Sequence, residues 1–89
     1  MNKLKNTHPG EVLKHDFLIP MGISQSELSR ATHLSTTLIS AIVMGSRNIT
    51  AMVDVRFSKA LGTSMGFWLG LQSDYDIGVA MYDLYVNIN

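Results

Sequence analysis

Apolar positions along this 89-residue chain recur at helical spacing and hardly ever alternate. Val12, Leu13 and Phe17 keep to one side of a first helix that begins at Pro9-Gly10-Glu11. Proline is tolerated in a first turn, and Glu11 suits the helix dipole there. Pro20 and Gly22 are its stop signals. A second helix, from about Gln25 to Thr32, turns Leu28 and Ala31 inward. A third, from about Thr36 to Met44, buries Leu38, Ile39, Ile42 and Val43. The fourth follows Thr50 and ends at Gly62, with Val53, Phe57, Ala60 and Leu61 on its inner stripe. The fifth starts after Ser64, carries Phe67, Trp68, Leu71 and Tyr75, and reaches Asp76 or beyond. Gly78 interrupts the pattern that follows. Leu84-Tyr85-Val86-Asn87-Ile88 alternates weakly and fits a short strand or a disordered tail.

Capping signals sharpen two of these helices. Ser24 followed three residues later by Glu27 is a capping box: the hydroxyl accepts an orphan backbone N–H while the carboxylate reaches back. Ser35 is a second N-cap, and Gly45 is a natural C′ residue for the helix that Ser35 opens. Two short helices meeting across a three-residue corner are a helix-turn-helix, whose second helix can enter a DNA major groove. The corner needs a left-handed residue, and His33 belongs to a non-glycine type enriched in that conformation. A turn role therefore explains His33 better than a pH sensor or a ligand. The expected architecture is all-α, five helices with short connections. It divides into a flexible arm (1–8), a helix-turn-helix DNA-binding domain (9–76) and a C-terminal extension (77–89).

Composition narrows the function. The length suits one domain, and the absence of cysteine excludes disulfides and thiolate metal sites and fits a reducing cytoplasm. No signal peptide is visible, and the longest apolar run, Ala41-Ile42-Val43-Met44, is far too short to span a membrane. With 46% hydrophobic and 16% charged residues, some apolar surface should remain for a protein partner. Lys+Arg equals Asp+Glu at seven each, whereas nucleic-acid binders are usually basic. All seven cations nevertheless precede residue 60, alongside four acidic residues, and only Asp74, Asp76 and Asp83 follow it. Few cations mean few released counterions and a shallow salt dependence, so amides at the starts of the second and fourth helices should share the phosphate binding. Nothing points to catalysis, a metal or a cofactor. His8, His15 and His33 lack ligand spacing on a common face, and no phosphate-cradling glycine loop is present. Asp74 and Asp76 lie two apart, so a helix points them to different sides.

His8-Pro9-Gly10-Glu11, Ser24-Gln25-Ser26-Glu27-Leu28, Ile49-Thr50, Ala60-Leu61-Gly62-Thr63-Ser64 and Phe67-Trp68-Leu69-Gly70-Leu71-Gln72 … Tyr75-Asp76 occur in this order. Together they resemble the HigA-type antitoxins of addiction modules, also called virulence-associated protein I. These belong to the lambda-repressor-like, xenobiotic-response-element class of helix-turn-helix proteins, and the resemblance covers roughly residues 8–77. It implies a cytoplasmic homodimer that uses its C-terminal helix or tail to dimerise, represses its own operon and neutralises a small RNase toxin. The chain departs from the family pattern at several places. Thr36, Thr37 and Leu38 stand where cations are usual along the recognition helix, and Ser46 replaces a basic residue after Gly45. His33 takes the place of a turn glycine, while Ser29 and Asp54 stand where alanine is customary.

Candidate DNA contacts follow from both lines of reasoning. Gln25, in the first turn of the second helix, is placed for a phosphate or base-edge contact. Ser35, Thr36, Thr37 and Ser40 lie on or before the outer face of the third helix, opposite Ile39 and Ile42. A threonine can hydrogen-bond a base edge and lay its methyl on that of thymine. Arg47 and Asn48, just past that helix, can reach phosphates, which position a protein without reading sequence. Arg30 can do likewise or form a weak exposed ion pair. Phe67, Trp68, Leu71 and Tyr75 exceed what one small core can bury and form a candidate two-fold interface, although Trp68 also fits core packing against the first helix. Two other readings remain open at this level. One is a stand-alone regulator. The other, suggested by Thr36-Thr37-Leu38 and zero net charge, is a protein-interaction module that has lost DNA binding.

Overall fold

The computed structural model describes residues 6–88, with side chains through Val86. Five helices and no strand occur among the described residues. Helix α1 runs through Pro9–Val12, a π-helical segment Leu13–Leu18 and a last turn Ile19–Met21. It is followed by α2 (Gln25–Thr32), α3 (Thr36–Val43), α4 (Ala51–Leu61) and α5 (Phe67–Ile88). The sequence pattern places Pro20 as a stop, but Pro20 lies inside the last turn of α1. A proline ring collides with the carbonyl four residues back in an α register, and the wider π turns ahead of it make room. The helix ends at the other expected stop, left-handed Gly22, where the Ile23 amide bonds Leu18 O at 3.0 Å.

The core is one cluster, built on Leu13, Leu18, Leu28, Ile39, Ile42, Val53, Phe57 and Trp68. Ala31, expected inside, is exposed. Thr32 takes the inner position, where its hydroxyl donates to Leu28 O at 2.7 Å and accepts the Leu34 amide at 3.3 Å. The Ser29 hydroxyl donates to Leu34 O, so two side chains brace the α2–α3 corner. His33 is left-handed there, with φ 61°. Gly10 decides how α1 crosses α3: a Cβ on it would fall on the carbonyl oxygen of Ile42.

Trp68 is 0% exposed and its ring lies 5.1 Å from Phe17 and 5.4 Å from Phe57. Its indole N–H donates to Thr63 Oγ1 at 3.0 Å. Asp54, an apparent anomaly in the sequence, is 2% exposed and accepts the amides of Gly66 at 2.6 Å, Trp68 at 2.8 Å and Leu69 at 3.2 Å. It caps the N-terminus of α5 from a different helix, satisfying donors that no residue of α5 reaches.

Both ends of the chain differ from the sequence expectation. Residues 1–5 of the expected arm lie outside the described residues. His8 is no part of a flexible arm: it is buried and caps α1 by accepting the Gly10 amide on Nδ1 at 2.9 Å. Leu84–Ile88 is neither strand nor tail but the last turns of α5, which continues through Gly78. With an apolar residue at most positions past Asp76, either period can be read there, and the helix that enters from residue 67 decides between them. The protein measures 47 × 24 × 24 Å.

Two stability measurements test this description. Asp54→Asn leaves three amides with one acceptor fewer and an opposed NH₂, so denaturant unfolding should show a loss of about 2–3 kcal/mol. His33→Gly relieves a left-handed non-glycine residue and should raise stability by a few tenths to ~1 kcal/mol; a lower melting temperature would mean that the Ser29 and Thr32 braces need the imidazole.

Candidate nucleic-acid interface

The start of α2 and the outer face of α3 form one open groove. Gln25 and Ser26 stand on one wall, and Thr36, Thr37, Ser40, Ala41 and Met44 on the other. The capping box at the start of α2 is complete: Ser24 Oγ accepts the Glu27 amide at 3.0 Å, and Glu27 Oε1 accepts the Ser24 amide at 2.8 Å. The Ser24 amide bond to the carboxylate first, then the Ser24 side chain and the Arg30 charge, hold the Glu27 carboxyl below its ordinary pKa. The box leaves the amides of Gln25 and Ser26 pointing out of the helix start, where an anion is favoured.

Each sequence-selected residue has a definite place. Thr36 and Thr37 are exposed, while Gln25 and Ser40 are half-buried in the groove walls. Ser35 caps α3, accepting the Leu38 amide at 3.1 Å, and keeps its own O–H to donate. Arg47 and Asn48 line an adjoining cleft with Leu38, Thr50 and Met52, and Ser46 borders both. Asn48 is less free than its loop position suggests. Its Oδ1 accepts from Gln72 Nε2 at 3.3 Å, and Gln72 Oε1 accepts the Ile49 amide at 2.7 Å. Gln72, on α5, therefore anchors the loop that carries Arg47 and Asn48. Sequence reading assigned it no role; its signal was a polar residue on the inward face of an apolar helix, one turn from Trp68. Four groove residues were also missed, Ser26 and Ala41 in the walls among them. Met44 is 80% exposed at the groove rim, and Ser46 lies where the two clefts meet.

Among the described cations, Arg47 alone lines these two clefts. Arg56 donates from Nη1 to Thr32 O at 2.9 Å and lines a separate cleft with His33 and Lys59, at the far end of α2. The face that would read DNA thus presents hydroxyls, an amide and a thioether rather than concentrated positive charge.

The candidate interface on α5 is corrected at one residue. Trp68 is enclosed by its own chain and cannot touch a partner. Leu71 and Tyr75 are half-buried, and Phe67 is 38% exposed, with its ring 6.1 Å from that of Phe17. The accessible apolar surface lies further along, at Ile77, Met81, Tyr82, Leu84, Tyr85 and Val86.

The helix-turn-helix family profile matches residues 15–68. Virulence-associated protein I of Dichelobacter nodosus is 38% identical over 82 residues, covering 92% of this chain and 76% of that protein. A solved structure, Pseudomonas aeruginosa antitoxin HigA with the higBA promoter, matches with a TM-score of 0.88 at 34% identity, over 96% of this chain and 92% of that one. This chain belongs to the HigA antitoxin family. Antitoxin HigA-1 of Vibrio cholerae is a further relative, 37% identical over 68 residues; the match covers 76% of this HigA-family chain and 64% of the Vibrio protein. Among the described residues of this family member, no helix is long and apolar enough to cross a membrane.

The capping box gives a pH test with a defined sign. A carboxyl whose folded pKa is lowered contributes stability above the unfolded value and loses it as pH falls through the folded one. The melting-temperature difference between the parent protein and Glu27→Ala should therefore be full at neutral pH and shrink below the ordinary carboxylate range. A difference independent of pH would mean that the carboxylate charge plays no part in the cap.

Proposed function

We propose that this protein is the antitoxin of a type II toxin–antitoxin module: a dimeric, sequence-specific DNA-binding autorepressor that also neutralises a small RNase toxin. The convergence of Gln25, Thr36, Thr37 and Ser40 on one open groove carries the DNA part of this reading. Likeness to an antitoxin solved with its own promoter supports it. Thr36 and Thr37 present hydroxyl and methyl groups to base edges, Gln25 and the free amides at the start of α2 hold a phosphate, and Arg47 with Asn48 holds a second. One module of this size contacts too few base pairs for specificity. A two-fold dimer supplies two reading helices about 34 Å apart, matching successive major grooves.

The exposed apolar side chains of α5, at Phe67 and beyond Asp76, support a dimer contact along that helix. Such a surface on a lone chain is larger than scattered apolar residues require. Toxin neutralisation follows from membership in an antitoxin family, and RNase chemistry is the toxin class that the sequence resemblance implies. The protein itself is assigned no catalysis and no cofactor. A repressor of its own operon works where the DNA is, in the cytoplasm.

Binding to a duplex from the region upstream of its own gene, followed by fluorescence anisotropy at several salt concentrations, tests the DNA reading. Thr37→Ala should weaken specific binding by about 1 kcal/mol, roughly fivefold, without changing the salt slope. Arg47→Ala removes one phosphate contact from each protomer, so it should weaken all duplexes alike and flatten the slope by about two. No binding at micromolar protein and low salt would sink the repressor. Co-expression with the product of the adjacent gene, followed by affinity capture, tests the toxin.

A further inference from the structure

The reading helix and the C-terminal helix make little direct contact; both pack on the beginning of α1. What joins them is the segment 6–10. Asn6 Nδ2 donates to Tyr75 O at 3.0 Å, and the missing side chain of Gly78 makes room for it, since a Cβ there would fall on Asn6 Oδ1. Two residues on, the His8 ring meets Tyr75 edge to face, with centroids 4.9 Å apart. The same imidazole lies over Gly45, where an added Cβ would sit 3.7 Å from its Cγ. Gly10 then rests on the carbonyl of Ile42, in the last turn of α3. Within five residues the chain touches α5 at two places and the end of α3 at two places.

His8 is more than a cap. Nδ1 accepts the Gly10 amide, so the ring proton sits on Nε2, which is buried with no hydrogen-bond partner among the described residues. A helix cap needs only one acceptor, which asparagine also supplies. The imidazole is kept in spite of that orphan group, and the contact an asparagine would lose is the ring's bridge between Gly45 and Tyr75.

We propose that residues 6–10 form a strap that sets the angle between α3 and α5, with Asn6 and His8 as positioning residues for DNA reading. This rests on the dimer reading above: if α5 joins the two protomers, the strap fixes how far apart the two reading helices stand. An operator fixes that distance, so a slack strap weakens binding to the full site and leaves a single half-site unaffected.

The absence of cysteine allows one spin label per protomer through Thr37→Cys, and electron–electron double resonance then measures the distance between reading helices in the free dimer. The parent should give a narrow distribution. Asn6→Ala and His8→Asn, the latter keeping a cap acceptor, should each broaden it by about twofold and weaken full-operator binding about tenfold, with half-site affinity unchanged. Should His8→Asn fail to fold, Asn6→Ala carries the test alone. Unchanged distributions would overturn the strap, as would equal losses on half-site and full operator. Absence of any inter-label distance would overturn the dimer, and the strap's role with it.

Discussion

One carboxyl group decides where the second half of the molecule goes. Asp54 lies in α4, yet its oxygens take three amides at the start of α5. Burying a carboxylate is costly unless its oxygens are hydrogen-bonded, and amides aligned at a helix start are among the best available donors. That arrangement locks the first turn of α5 against α4 and lowers Trp68 between Phe17 and Phe57. With the start of α5 anchored there, Gln72 arrives where it can hold the Ile49 amide and Asn48. The loop carrying Arg47 is thus placed by a chain of contacts that begins at Asp54.

The reading surface depends on the same economy. Its positive charge is sparse, because the described cations other than Arg47 lie outside the groove and its adjoining cleft. Neutral hydrogen bonds and methyl contacts discriminate bases but add less to non-specific attraction than phosphate contacts do. A reader built this way leans on geometry: in the proposed dimer, two copies at a fixed separation, with packed helices behind each groove. The π-helical first helix, the braced corner around His33 and the close approach of Gly10 to Ile42 all serve that rigidity.

Much of the helix-turn-helix was legible from residue types alone. Ser24, Glu27, Ser35, Thr50 and Gly45 act through bonds to neighbours a few residues away, so their spacing is the whole signal, and the starts of α2, α3 and α4 lie where they indicate. The left-handed conformation of His33 was legible for the same reason. Pro20 misled because a local rule was answered by a local change of helix type that the sequence does not announce. Gly78 misled because the partner that explains it, Asn6, lies at the other end of the chain.

What the sequence by itself determined is the family, the helix periods, the caps and the polar outer face of α3, since each is written in contiguous residues. The tertiary structure alone decided that Asp54 caps a distant helix, that Trp68 lies wholly inside, that His8 is buried and that Gln72 holds a loop. Each of these is a polar or aromatic group whose energy depends on which partner surrounds it. Hydrogen-bond satisfaction in a buried site is a property of neighbours brought together by folding, and spacing along the chain carries no record of them.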